Sequence, residues 1–198
     1  MEKPLREKII NASRSMLLEE GYRNFSLRKV AGQVGVTATS IYLHFDNKDH
    51  LIHTLIDESI VKLNKRLEET AAEHSDPVDR LEALARAYVG FALEHPGEYQ
   101  IIYYVSSDDM ARYPKEKFRQ ARKGYDLLTE TIKEGIEKGL MSEENPRTAS
   151  YTFWAQLHGV MSVVLTRRLD IRIDRDEFIE QAIENIIQGF HIRTAVAP

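Results

Sequence analysis

Residues 26–45 read SLRKVAGQVGVTATSIYLHF. Behind Ser26, the residues Leu27, Val30, Ala31 and Val34 fall at i, i+3, i+4 and i+7, one face of a helix. A serine just before such a face caps it, because its hydroxyl accepts from the unpaired N–H groups of the first turn. Gly35 then breaks the helix, since glycine takes positive φ at no steric cost. Val36 tucks into the core, and Thr37 caps a second short helix with Ile41 and Phe45 on its inner side. The outer side offers Ala38, Thr39, Ser40, Tyr42 and His44, small or hydrogen-bonding groups with no carboxylate to repel phosphate. Such an edge can lie in a DNA major groove. A helix, a glycine turn and a helix also occur in bundles that never touch nucleic acid, so the flanks carry the decision.

Arg28 and Lys29 open the first short helix, and Asn47 caps a helix that begins with Lys48. A capped N-terminus bearing a lysine attracts phosphate. Upstream, Ile9, Ile10, Ala12, Met16 and Leu17 make an amphipathic helix that runs into EEGYRNFS, where Gly21 can end it. Net charge is −4, which taken whole disfavours a polyanionic partner. Residues 1–50 nevertheless carry 8 Lys and Arg against 6 Asp and Glu, and the remainder carries 19 against 25. Only the first part suits phosphates, by a margin that charge alone does not separate from chance.

The stretch from Phe25 to Leu51, FSLRKVAGQVGVTATSIYLHFDNKDHL, resembles the DNA-binding domain of TetR-family transcriptional regulators. The hydroxyl cap, the Val-Ala pair, the Gly-Val-Thr turn, Ile-Tyr, His-Phe and Asn-Lys all stand in register. The resemblance covers about the first quarter of the chain. It implies that Thr37, Tyr42 and Lys48 bond backbone phosphates, which supplies affinity rather than sequence choice. It implies that Arg28, Thr39 and Ser40 reach base edges, Arg28 with a fork suited to guanine. His44 matches a position that either reads a base, or packs beside the backbone or bonds a phosphate.

Beyond residue 47 every clear period is helical, so the expected class is all-α. A three-helix helix-turn-helix domain (1–47) is expected to precede a larger helical domain (48–198), with helices near 4–20, 26–34, 38–44, 48–73, 77–95, 97–105, 114–138, 146–168 and 176–192. Asp76-Pro77 and Asn145-Pro146 pair a capping side chain with proline at the first helical position. Tyr113-Pro114 marks another start and Gly139 another stop. With no linker at the junction, helix 48–73 is expected to couple the two parts. Helix 146–168 holds Tyr151, Phe153, Trp154, Leu157, Val160, Met161, Val163, Val164 and Leu165, apolar nearly all round, and so needs cover on two sides. Pairing with the stripe Phe178, Ile179, Ala182, Ile183, Ile186, Ile187 and Phe190 of helix 176–192, in a four-helix interface with a twin chain, provides it. A homodimer also fits a palindromic operator whose half-sites lie about 34 Å apart, or a multiple of that.

Six tyrosines in predicted helices after residue 80 (Tyr88, Tyr99, Tyr103, Tyr104, Tyr125 and Tyr151) and the single tryptophan either line a cavity or simply form core. WAQLHG and EHPGEYQIIYY resemble a Trp-His-Gly subclass of the same family. Tyr103, Tyr125, Trp154 and His158 are the expected effector-binding residues, with His158 either a pocket group or a buried histidine satisfied by a hydroxyl. The expected function is a repressor released from its operator by a small-molecule effector of unknown identity. An absence of cysteine excludes disulfides, thiolate metal sites and a cysteine nucleophile. No signal peptide and no run of about 20 apolar residues is present, so a cytoplasmic, membrane-free protein is expected. His50 and His53 lie three apart without convincing further ligands, and no catalytic motif stands out, so neither metal, cofactor nor enzyme activity is expected. Two rivals remain: a DNA-bound protein that recruits another protein, and a helical-bundle enzyme or carrier.

Overall fold

Caps and glycine stops divide the chain where the sequence places them. The computed structural model describes residues 4–105, 110–112, 114–142 and 144–190. Within them run nine α-helices: α1 (Leu5–Asn24), α2 (Leu27–Val34), α3 (Ala38–Tyr42), α4 (Lys48–Ala72), α5 (Pro77–Glu94), α6 (Pro96–Tyr103), α7 (Phe118–Glu137), α8 (Pro146–Leu165) and α9 (Arg175–Phe190). Gly21 sits at φ 71, ψ 173 and breaks α1 before a last short turn. Asp76 accepts from the N–H groups of Val78 and Asp79, and Asn145 from those of Arg147 and Thr148, each ahead of a proline. Gly139, at φ 70, follows the end of α7. The long helix expected from Pro114 instead begins as a 3-10 turn at Lys115–Lys117. The proposed start at Tyr113 and the last two residues expected of helix 176–192 lie outside the described residues.

Contacts group the chain into two compact units. The first comprises Met1–Val61 with Gly97–Ala121. Its core joins Ile9, Met16 and Leu17 of α1 to Val30 and Ala31 of α2, Ile41 of α3, and Leu51, Ile52 and Leu55 of α4. Ile101 of α6 is buried in the same cluster. The unit therefore extends past residue 47, because the apolar face at the start of α4 covers the three-helix core.

The second unit comprises Lys62–Pro96 with Arg122–Pro198. Helix α5 is its central element, burying Leu81, Leu84, Tyr88, Phe91 and Ala92, and it packs on α8 and α9. Phe153 of α8 meets Phe190 of α9 edge-on at 5.4 Å. Thr129 of α7 and Ser150 of α8 share a hydrogen bond of 2.8 Å. Among the described residues no helix is long and apolar enough to cross a membrane.

Candidate nucleic-acid interface and ligand site

The turn between α2 and α3 follows from three residues. Ser26 Oγ accepts from the N–H of Lys29 at 3.3 Å. Gly35 adopts φ 79, ψ 33, which lets the N–H of Val36 reach the carbonyl of Ala31 at 2.9 Å and close the end of α2. Thr37 Oγ1 accepts from the N–H of Ser40 at 3.3 Å and shares a 3.0 Å hydrogen bond with the Ser40 hydroxyl. The cap thus occupies part of the hydrogen-bonding capacity of Thr37 and Ser40, and Ser40 is half-buried.

Ile41 and Phe45 are 0% and 1% exposed, which locks the inner side of α3 to the core. Thr39, Tyr42 and His44 are exposed. Leu43 is 80% exposed, a residue that the sequence reading passed over. Its position two beyond Ile41, half a helical turn from the buried side, is the signal that places it outward.

The neighbouring cations differ. Arg28 is exposed and enters no ion pair among the described residues. Lys29 turns back to α1, pairing with Glu20 at 2.5 Å and donating to the Asn24 carbonyl. Lys48 donates to the Tyr22 carbonyl at 2.5 Å and stands 3.7 Å from the centre of the Tyr22 ring. The Tyr22 hydroxyl donates to Asp49, whose other oxygen accepts from the N–H of Ala111 at 3.0 Å. Asn47 Oδ1 accepts from the N–H of His50 at 2.8 Å, as the cap of α4. His50 in turn accepts from the N–H of Asp46, whereas His53 is 3% exposed, and burial holds its pKa below 6.5.

In the second unit Tyr125, Trp154 and His158 come together. Tyr125 meets Trp154 edge-on at 5.3 Å and stacks on Tyr151 at 4.6 Å. Trp154 stacks on His158 at 5.2 Å. Burial lowers the pKa of His158, and the Tyr88 hydroxyl stands 3.5 Å from its Nδ1. Beside them lies a cavity of about 20 Å³ lined by Tyr88, Trp154 and the side chains of Leu67, Leu84, Leu128, Phe153 and Leu157. That is room for about one water. Tyr103 belongs to the first unit, where it packs on Tyr99 at 4.8 Å.

Residues 9–55 match the family described as "Bacterial regulatory proteins, tetR family", and residues 81–186 match "Tetracyclin repressor-like, C-terminal domain". The fatty acid metabolism regulator protein of Bacillus subtilis (strain 168) is 26% identical over 193 residues, spanning 96% of this chain and 97% of that one. Among solved structures, a Rhodococcus sp. RHA1 protein of unknown function has TM-score 0.80 at 24% identity, covering 96% of this chain and 97% of the other. AibR, in complex with isovaleryl coenzyme A and operator DNA, has TM-score 0.74 at 16% identity, covering 92% and 97%. At these identities the structural likeness speaks for the fold. With residues 9–55 and 81–186 both matched, the chain belongs to the TetR family of bacterial regulatory proteins.

Proposed function

We propose that this regulator represses transcription as a homodimer on a palindromic operator and is released by a small-molecule effector. One observation carries the DNA half of the reading. The outward edge of α3 presents Thr39, Tyr42, Leu43 and His44 to solvent on a buried core, and Arg28 at the start of α2 is exposed and enters no ion pair among the described residues. Arg28, Thr39 and Ser40 are the proposed base-reading residues. Thr37, Tyr42 and Lys48 are the proposed phosphate contacts, and His44 serves at the backbone. In this reading residues 1–47 act on DNA and 48–198 bind effector and partner, with α4 passing the change between them. A difference of a few kcal/mol in effector affinity between two conformations is enough to do so.

Support for the dimer comes from α8 and α9. Phe153, Leu157 and Met161 are buried, yet Val160, Val163, Val164 and Leu165 are only half-buried, and so are Phe178 and Ala182 of α9. An apolar surface of that kind is completed by a second copy. The effector would sit at Tyr125, Trp154 and His158, which all belong to the second unit. The Trp154–His158 stack also supports the likeness to the Trp-His-Gly subclass. Because AibR holds isovaleryl coenzyme A and the Bacillus subtilis relative is named for fatty acid metabolism, acyl compounds are the effector class to test first.

The test is binding to random duplex DNA at low salt, followed by selection of bound genomic fragments. Phosphate contacts alone give measurable non-specific affinity that falls steeply with salt. No binding at low salt overturns the regulator reading. The small size of the cavity beside Trp154 favours a second reading, in which the larger half recruits a protein instead of an effector. Thermal stabilisation by an acyl compound decides between the two.

A further inference from the structure

Helices α7 and α8 also bound a cleft of about 170 Å³. Arg122, Tyr125, Asp126 and Thr129 line it from α7, and Arg147 and Tyr151 from α8. Among the described residues neither arginine enters an ion pair, nor does Asp126. Two guanidinium groups against one carboxylate leave the cleft net positive. Guanidinium offers a planar fork of donors that matches carboxylate or phosphate oxygens two at a time.

The lining of this cleft is also aromatic. Tyr125 lines it and stacks flat on Tyr151, with ring centres 4.6 Å apart and planes 8° from parallel. Trp154, 5.3 Å from Tyr125, lines the apolar cavity of about 20 Å³. The contacts from Tyr151 through Tyr125 to Trp154 thus form one aromatic layer that runs from a cationic mouth to an apolar interior. The volume of the mouth is below the roughly 300 Å³ at which whole small-molecule sites begin, so it suits the charged end of a ligand whose remainder lies elsewhere. The interior, at about 20 Å³, admits a chain only if the aromatic layer parts.

We infer that the α7–α8 cleft binds the anionic end of an amphiphilic ligand through Arg122 and Arg147, while the ligand's apolar tail passes the Tyr125–Tyr151 stack toward the cavity beside Trp154. The inference rests on the effector reading above and adds to it the chemical class and the two residues that recognise it. The anion is either a carboxylate, as in a free fatty acid, or a phosphate, as in a coenzyme A thioester.

Trp154 is the only tryptophan, so its fluorescence reports entry into the aromatic layer. Titrations of the full chain with dodecanoate, dodecanoyl-coenzyme A and dodecanol, repeated on the double variant R122Q/R147Q after circular dichroism has shown it folded, test the proposal. The expected result is that one or both anions bind the wild type, that the double variant binds them about ten-fold or more weakly, and that dodecanol binds both proteins alike. The tighter anion identifies the source of the charge. Equal affinity of wild type and variant for the anions overturns the role of the arginines and leaves the effector reading intact. Binding of dodecanol with no binding of either anion does the same. No response to any of the three overturns the inference, and it overturns the effector reading too if DNA affinity is also unchanged by every probe.

Discussion

Replacing Lys48 by methionine keeps most of the apolar stem and removes the ammonium. In the structure that ammonium donates to the Tyr22 carbonyl at 2.5 Å and lies 3.7 Å from the Tyr22 ring centre. A charge-assisted hydrogen bond contributes about 1.5–3 kcal/mol when desolvated, and a cation over an exposed ring about 0.5–1 kcal/mol. Lys48 is half-buried, so water screens both, and methionine recovers part of the contact with the ring. The expected net loss is about 1–2 kcal/mol. For a chain of this size each kcal/mol corresponds to about 2–4 °C, so the melting midpoint should fall by about 2–8 °C. Thermal unfolding followed by circular dichroism measures it. The same variant tests the phosphate role: on random duplex DNA, the slope of log K against log salt should flatten by about one. A lowered midpoint with an unchanged slope would make Lys48 a staple between α1 and α4 and nothing more. If the midpoint does not move, the reasoning from this contact is refuted.

Three further outcomes are expected. Arg28→Ala should cost about 1–3 kcal/mol on the selected operator and far less on random DNA, read by fluorescence anisotropy; equal losses would remove Arg28 from base reading. Gly35→Ala meets no atom within 4 Å of the added Cβ, so its cost arises from the backbone at φ +79. That cost is about 1–2 kcal/mol in denaturant unfolding, and operator affinity should fall because α3 is re-aimed. His158 is held below its ordinary pKa of 6.5 by burial, so the unfolded chain takes up the proton first as pH falls. The stability associated with the neutral imidazole is complete above pH 6.5 and declines below it. His158→Gln should therefore soften the loss of stability between about pH 7 and 5, and an unaltered slope in urea unfolding across that window would count against the burial argument.

Much of the candidate interface was legible before any coordinates. Serine, glycine and threonine at 26, 35 and 37 each act on their own backbone, through a cap or a positive φ, and such local chemistry is readable from neighbours in sequence. The spacing of Ile41 and Phe45 told which side of α3 faces inward, and Asp76 and Asn145 announced the starts of α5 and α8. Leu43 escaped notice because an apolar residue is assumed to be buried until the helix register is worked through.

Other features depend on residues far apart in the chain. That Lys29 is engaged by Glu20 and Lys48 by Tyr22, while Arg28 enters no ion pair among the described residues, is set by the angle at which α1 meets α2 and α4, and no periodicity encodes that angle. The same holds for Ile101 joining the core of the first three helices, which extends that unit past residue 47. The approach of Tyr125 on α7 to Tyr151 and Trp154 on α8, and the two arginines that share the α7–α8 cleft, likewise arise from packing between helices. Local hydrogen bonding and hydrophobic period establish where helices begin, end and turn their apolar sides. Which side chains then meet, and which charges are left free for a ligand, is settled by the close packing of whole helices, where each contact depends on all the others.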